Sequence, residues 1–98
     1  MSGNERSSDG LDTRRRRILF RSRHRGMREM DLILGRFADA ELAGLSETEV
    51  DAFEALLDPQ DQMVFSWICG TEPVPAEHDT DLFRRIIAFH ASGRGLPD

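Results

Sequence analysis

Ninety-eight residues carrying thirteen arginines, eighteen acids, one cysteine and a net charge of −5 leave room for one domain with one modest core. No window approaches the roughly 20 consecutive apolar residues that span a bilayer, and the opening MSGNERSSDGLDT lacks the apolar stretch of a secretory signal. No second domain, membrane anchor or internal disulfide at the lone Cys69 is therefore expected, and a cytoplasmic location is.

Residues 1–11 are polar and glycine- and serine-containing, a composition that does not repay the entropy of ordering, so a disordered leader is expected there. A helical domain then occupies residues 12–91, and residues 92–98 form a flexible tail. The first helix starts at Asp12 or Thr13, both competent caps, and runs to about His24, where Gly26 breaks it. Met27, Met30, Ile33, Leu34, Phe37 and Ala38 recur at three- and four-residue spacings and predict a second helix. Gly35 within it costs up to about 1 kcal/mol in helix propensity, so a neighbouring helix is expected to come close there.

Ser46-Glu47-Thr48-Glu49 fits a capping box opening a third helix with Val50, Phe53, Leu56 and Leu57. Asp58-Pro59 is expected to end it and to begin a fourth at the proline, bearing Val64, Trp67 and Ile68 and stopped by Gly70. Pro73 and Pro75 mark a loop, after which Asp79 or Thr80 caps a fifth helix with Leu82, Phe83, Ile86, Ile87 and Phe89. No alternating strand pattern occurs. The fold expected is all-α, a small five-helix bundle forming a single domain, with a core of Met30, Ile33, Leu34, Phe37, Phe53, Leu57, Val64, Trp67, Ile68, Leu82, Ile86 and Phe89.

Few constellations carry chemistry. Cys69, His24, His78 and His90 lack the paired spacing of a metal site, so no metal is expected. The histidines read as surface groups, and Cys69, beside Ile68, as a small buried hydrophobe. Gly70, Gly93 and Gly95 form no phosphate-cradling loop, so no nucleotide-binding element of the chain's own is expected.

Charge is unevenly spread: residues 1–28 hold nine arginines against Glu5, Asp9 and Asp12, while residues 29–98 hold four against fifteen acids. Such a basic run could neutralise nucleic-acid phosphates or could be a solvated helix face. Against the first stand the interleaved Ile18, Leu19 and Phe20 and the acidity of the remainder, which would repel a polyanion.

Within that run lies Arg25-Gly26-Met27-Arg28-Glu29. An exposed ion pair between Arg25 and Glu29, four residues on, would contribute only about 0.2–0.5 kcal/mol. Gly26 would weaken the helix supporting such a pair, whereas a glycine admitting a partner's surface between orienting charges accounts for all three residues.

The pattern R-G-x-x-E followed by D-L-I-L-G-x-F resembles the FAD assembly factors of succinate dehydrogenase, the SdhE or assembly factor 2 type, over roughly Arg17 to Phe89. That resemblance implies a five-helix fold and a non-enzymatic chaperone that binds the flavoprotein subunit and promotes covalent FAD attachment. It implies a partner-binding face of Arg25, Gly26 and Glu29, with Met27, Arg28, Asp31 and Arg21 grouped beside them. Relatives often have cysteine or tryptophan where Arg23 and His24 stand here. No stably bound cofactor is expected, FAD being handled through the flavoprotein, and fumarate reductase is a second candidate client. The expected protein is a monomer that engages neither nucleic acid nor membrane; an arginine-rich nucleic-acid-binding or antitoxin-like regulator is the alternative.

Overall fold

The computed structural model describes residues 11–93, and over them the chain forms five α-helices and no strand. The helices are α1 Thr13–Arg23, α2 Arg28–Glu41, α3 Glu47–Ala55, α4 Asp61–Cys69 and α5 Asp81–Ala91, with short 3-10 turns at Leu42–Gly44 and Ala76–His78. Most boundaries follow from local chemistry. The Asp12 side chain accepts the Arg15 amide at 2.7 Å and so satisfies one of the donors left over at the start of α1. Ser46 and Glu49 close the capping box in both directions, at 3.1 and 2.8 Å. Thr80, not Asp79, caps α5 by accepting the Phe83 amide at 3.0 Å, while Asp79 is taken by Arg84 at 2.6 Å. Gly70 ends α4 with a φ of 82°, a conformation that costs glycine nothing.

The junction between α3 and α4 departs from expectation. Leu56, Leu57 and Asp58 close their amides onto Phe53, Glu54 and Ala55, three residues back, so α3 tightens and stops before the proline. Pro59 then precedes Gln60, the cap of α4, and stiffens the connection instead of starting the helix. The turn leaves the Leu57 carbonyl free to accept arginine donors from elsewhere.

Helix α2 is the centre of the bundle and packs against α1, α4 and α5, with α3 closing on α5. The core contains every residue expected except Ile68, and it also takes in Ile18, Leu19, Leu42, Leu45, Val50, Leu56 and Phe83. Ile18 and Leu19 are therefore packing residues; only Phe20 of that trio faces outward, 60% exposed. Leu11, assigned to the leader, is buried against the same core. The rest of the leader, and the tail from 94 onward, lie outside the described residues.

Three further side chains sit differently from expectation. Ile68 is only half-buried, because it lines a surface groove. Cys69, the next residue round the helix, is exposed. His78 is buried, because the 3-10 turn lays its ring on Trp67 at 5.3 Å between centroids. Its Nδ1 has no hydrogen-bond partner among the described residues.

Gly35 behaves as its propensity cost suggested. A Cβ there would lie 3.4 Å from the Ser22 carbonyl oxygen and 3.5 Å from Arg23 Cγ, so the α1–α2 crossing is built to the width of a glycine. Gly35→Leu should force the two helices apart and cost about 1–3 kcal/mol, read as a fall in denaturant midpoint. An unchanged midpoint would contradict that crossing.

Candidate docking face at the α1–α2 turn

The turn between α1 and α2 is held from behind by one carboxylate. Arg25 reaches across to the first residue of α4, where Nε and Nη2 both lie 2.8 Å from Asp61 Oδ1. Asp61 Oδ2 accepts the Gly26 amide at 3.0 Å. Arg25 Nη2 also donates to the Leu57 carbonyl at 3.0 Å, completing the C-terminal end of α3, and the Arg25 amide donates to Asp31 Oδ1. The two charged side chains are only 11% and 15% exposed. Arg25 thus spends its donors inside the molecule, and the ion pair weighed between Arg25 and Glu29 is replaced by one between Arg25 and Asp61. A charge-assisted pair with so little solvent around it fixes the turn more firmly than an exposed pair would.

What that clamp presents outward is Gly26, Arg28 and Glu29. All three are exposed, and the two charged side chains make no hydrogen bond or ion pair among the described residues. A Cβ at Gly26 would meet no atom within 4 Å, and its backbone is not in the left-handed region, so nothing among the described residues requires glycine there. Met27 is half-buried against the core, and its carbonyl accepts the amides of Met30 and Asp31 at 3.0 and 3.1 Å as α2 begins. Asp31 serves internally through the Arg25 amide. Arg21 points to the end of α3, donating to the Leu57 carbonyl at 3.3 Å and to Asp58 at 3.2 Å. Of the seven residues grouped from sequence, Gly26, Met27, Arg28 and Glu29 share the outer turn, and Arg25, Asp31 and Arg21 brace it.

Most of the basic run is likewise turned inward. Arg14 contacts Asp51 and Glu54 at 2.7 and 2.6 Å, and these hydrogen bonds, that to Asp51 foremost, hold its guanidinium even further above its usual range. Arg15 donates to Asp12 and to the Leu42 and Leu45 carbonyls, and Arg23 pairs with Asp39. Helix α1 is thus tied to downstream acids through Arg14, Arg15, Arg21 and Arg23, which leaves Arg16 and Arg17 as its exposed arginines without an acidic partner among the described residues.

Two of the carboxylates at helix starts carry a pH signature. The Arg15 amide holds Asp12 below its ordinary value of 3.8, and the Ser46 amide holds Glu49 below its ordinary value of 4.5. A group depressed in the folded state contributes stability above its unfolded value and loses it as pH falls through the folded one. The melting temperature should therefore fall as pH drops below about 4.5, and Glu49→Gln should flatten part of that fall. Melts of both proteins in a pH series with superimposable acid limbs would contradict the assignment.

Beside the outer turn, Leu32 and Ile33 of α2 and Phe65, Ile68 and Cys69 of α4 line an open groove of about 280 Å³. Glu29, exposed at the start of α2, and His90 of α5, also exposed, complete its rim. Sequence reasoning missed this groove and missed Asp61; the only signal for Asp61 was an acid in the first turn after Pro59. Among the described residues no three metal-ligating side chains come together, and no helix is long and apolar enough to cross a membrane.

A family model described as flavinator of succinate dehydrogenase matches residues 16–90, which include all five helices but the first turn of α1 and the last residue of α5. The chain belongs to that family. It is 34% identical over 89 residues to the FAD assembly factor SdhE of Acetobacter pasteurianus, covering 91% of this chain and 82% of that protein. It is 35% identical over 93 residues to the mitochondrial succinate dehydrogenase assembly factor 2-A of Drosophila yakuba, covering 93% of this chain and 57% of that one. The corresponding factor of Mycosarcoma maydis is 39% identical over 71 residues, 72% of this chain and 30% of that protein. The chain thus spans most of its bacterial relative's length and between about a third and just over half of the two mitochondrial ones. Family members of this kind are assembly factors, and the clamped turn with its unspent charges lies well inside the matched region.

Proposed function

We propose that this chain is a non-enzymatic assembly factor that docks on the flavoprotein subunit of succinate dehydrogenase and promotes covalent attachment of FAD. The observation that carries the reading is the outer turn: Gly26 has open space where no internal contact calls for glycine, and Arg28 and Glu29 stand beside it unpaired among the described residues. A bare backbone between two oriented charges suits a surface that another protein's backbone approaches. The Arg25–Asp61 clamp supports this by holding the turn in one conformation before docking, which lowers the entropy lost on binding.

FAD on this reading is held by the flavoprotein, where its own electron-poor ring system would supply the reactivity for attachment to a histidine of that subunit. The helper's contribution is to hold the client's site in a reactive geometry. It acts as a monomer in the cytoplasm, alongside its client, and leaves before further subunits dock. The nucleic-acid alternative loses part of its support, since five of the arginines that suggested it, Arg14, Arg15, Arg21, Arg23 and Arg25, are engaged with Asp12, Asp39, Asp51, Glu54, Asp58 and Asp61.

Gly26→Leu and Glu29→Ala test the reading with little disturbance of the fold, because a Cβ at Gly26 meets no atom within 4 Å and the exposed Glu29 side chain makes no hydrogen bond or ion pair among the described residues. Both variants should keep the wild-type melting temperature, bind the flavoprotein at least tenfold more weakly, a loss of about 1.4 kcal/mol, and fail to restore covalent flavin in a strain lacking the protein. In-gel flavin fluorescence reads the result. Full restoration by both variants would sink the docking face, and normal flavinylation in the deletion strain would sink the function.

A further inference from the structure

The groove beside the turn is open although its lining is apolar. Helix α4 places Asp61, Phe65, Ile68 and Cys69 at successive spacings of four, three and one, so the residue that clamps the turn and the residues that line the groove share one face of one helix. Helix α2 repeats the arrangement with Glu29, Leu32 and Ile33. Turn and groove are therefore one continuous surface. At about 280 Å³ the groove lies at the floor of the roughly 300–1,000 Å³ range of small-molecule sites. Its rim groups, one carboxylate and one imidazole, provide no guanidinium or amide cradle for a pyrophosphate. That leaves an apolar side chain as the fitting occupant, and the unpaired Glu29 carboxylate on the rim calls for a cation next to it.

We infer that the groove receives one bulky apolar side chain of the flavoprotein subunit, presented beside a basic residue that pairs with Glu29. The inference rests on the docking reading and extends it. Gly26 lets the partner's backbone come close, Glu29 sets its register through charge, and Leu32, Phe65 and Ile68 bury the anchoring side chain. A desolvated apolar anchor surrounded by polar contacts is where such an interface concentrates its affinity. Glu29 also sits in the first turn of α2, where a carboxylate is favourable for the helix alone, so its substitution by itself does not decide the matter.

Cys69 is the chain's one cysteine and lines the groove, so it reports occupancy directly. The full chain should be alkylated with a maleimide alone and with a saturating excess of purified flavoprotein subunit, following the mass of this chain. The complex is expected to slow alkylation at least tenfold. Cys69→Trp, which fills the groove from an exposed position, should weaken the complex tenfold or more at unchanged melting temperature; Met63→Trp, on the far face of α4, should leave affinity as it is. A complex that forms by size exclusion but leaves the alkylation rate unaltered overturns the groove's role while preserving the docking face. No complex at all overturns both. Protection that appears when the chain alone is concentrated, or that disappears on removing residues 94–98, overturns it in favour of a second copy or of the chain's own tail.

Discussion

Phe37→Ala should leave the domain barely folded. Phe37 is 1% exposed and stands where three helices meet, its ring edge-on to Phe53 of α3 at 5.7 Å and to Phe89 of α5 at 5.5 Å between centroids. Removing it deletes both aromatic contacts and leaves a cavity at the centre of the bundle, a change that costs about 3–5 kcal/mol. The Arg85 guanidinium lies 6.0 Å from the centroid of the same ring and joins Glu41 at the end of α2 to Glu49 in the cap of α3. Collapse around the cavity is thus resisted by charges fixed above it. Against a total of about 5–15 kcal/mol for a domain of this size, the loss takes a large share of the stability. Denaturant midpoints for the variant should shift accordingly, and a change worth less than about 1 kcal/mol would show that Phe37 is not the hub of the core.

The parts of the fold legible in the sequence are those decided within one or two helical turns. Asp12, Ser46 with Glu49, Thr80 and Gly70 mark helix ends because a cap needs only the backbone next to it. The stripe from Met30 to Ala38 marks a buried helix face because its spacing is that of a helix. Ile18 and Leu19 were harder to place: flanked by six arginines, they look like decoration on a basic surface, and only the α1–α2 crossing at Gly35 shows that they are its inner edge.

Burial set by irregular segments was not legible. His78 is covered because the loop after Gly70 folds back over Trp67, and Cys69 is uncovered because it stands in the open groove that α4 shares with α2 and with His90 of α5. Nothing within a few residues of either position announces this. At the candidate site, the motif was visible as a pattern, and Gly26, Arg28 and Glu29 do face outward as a docking surface requires. Its brace was invisible, since Arg25 and Asp61 are 36 residues apart and α4's first turn holds an acid that any helix start would welcome. Long arginines choose partners through the tertiary fold, and only the fold reveals which donors remain for another protein.

That division predicts a distinct phenotype for the brace. Arg25→Ala would leave Asp61, 15% exposed, with only the Gly26 amide, and would remove a donor from the Leu57 carbonyl; a cost of about 2–3 kcal/mol is expected, less than for a fully buried pair. Arg25→Lys should not restore it, because one ammonium cannot reproduce the guanidinium's fork onto both Asp61 and Leu57. Asp61→Ala should cost a similar amount, and the double variant less than the sum, with a coupling of about 1–2 kcal/mol. Asp61 lies behind the turn that bears the proposed docking face, so on that proposal its influence on a client runs through the position of Gly26 and its neighbours. Asp61→Ala should accordingly lower covalent flavin on the flavoprotein even at temperatures where the variant remains folded, since a loosened turn must be ordered again on docking. Gly26→Leu separates the two effects by losing function at full stability. If Asp61→Ala matches the wild type in both denaturant midpoint and in-gel flavin fluorescence, the clamp is not what holds the turn.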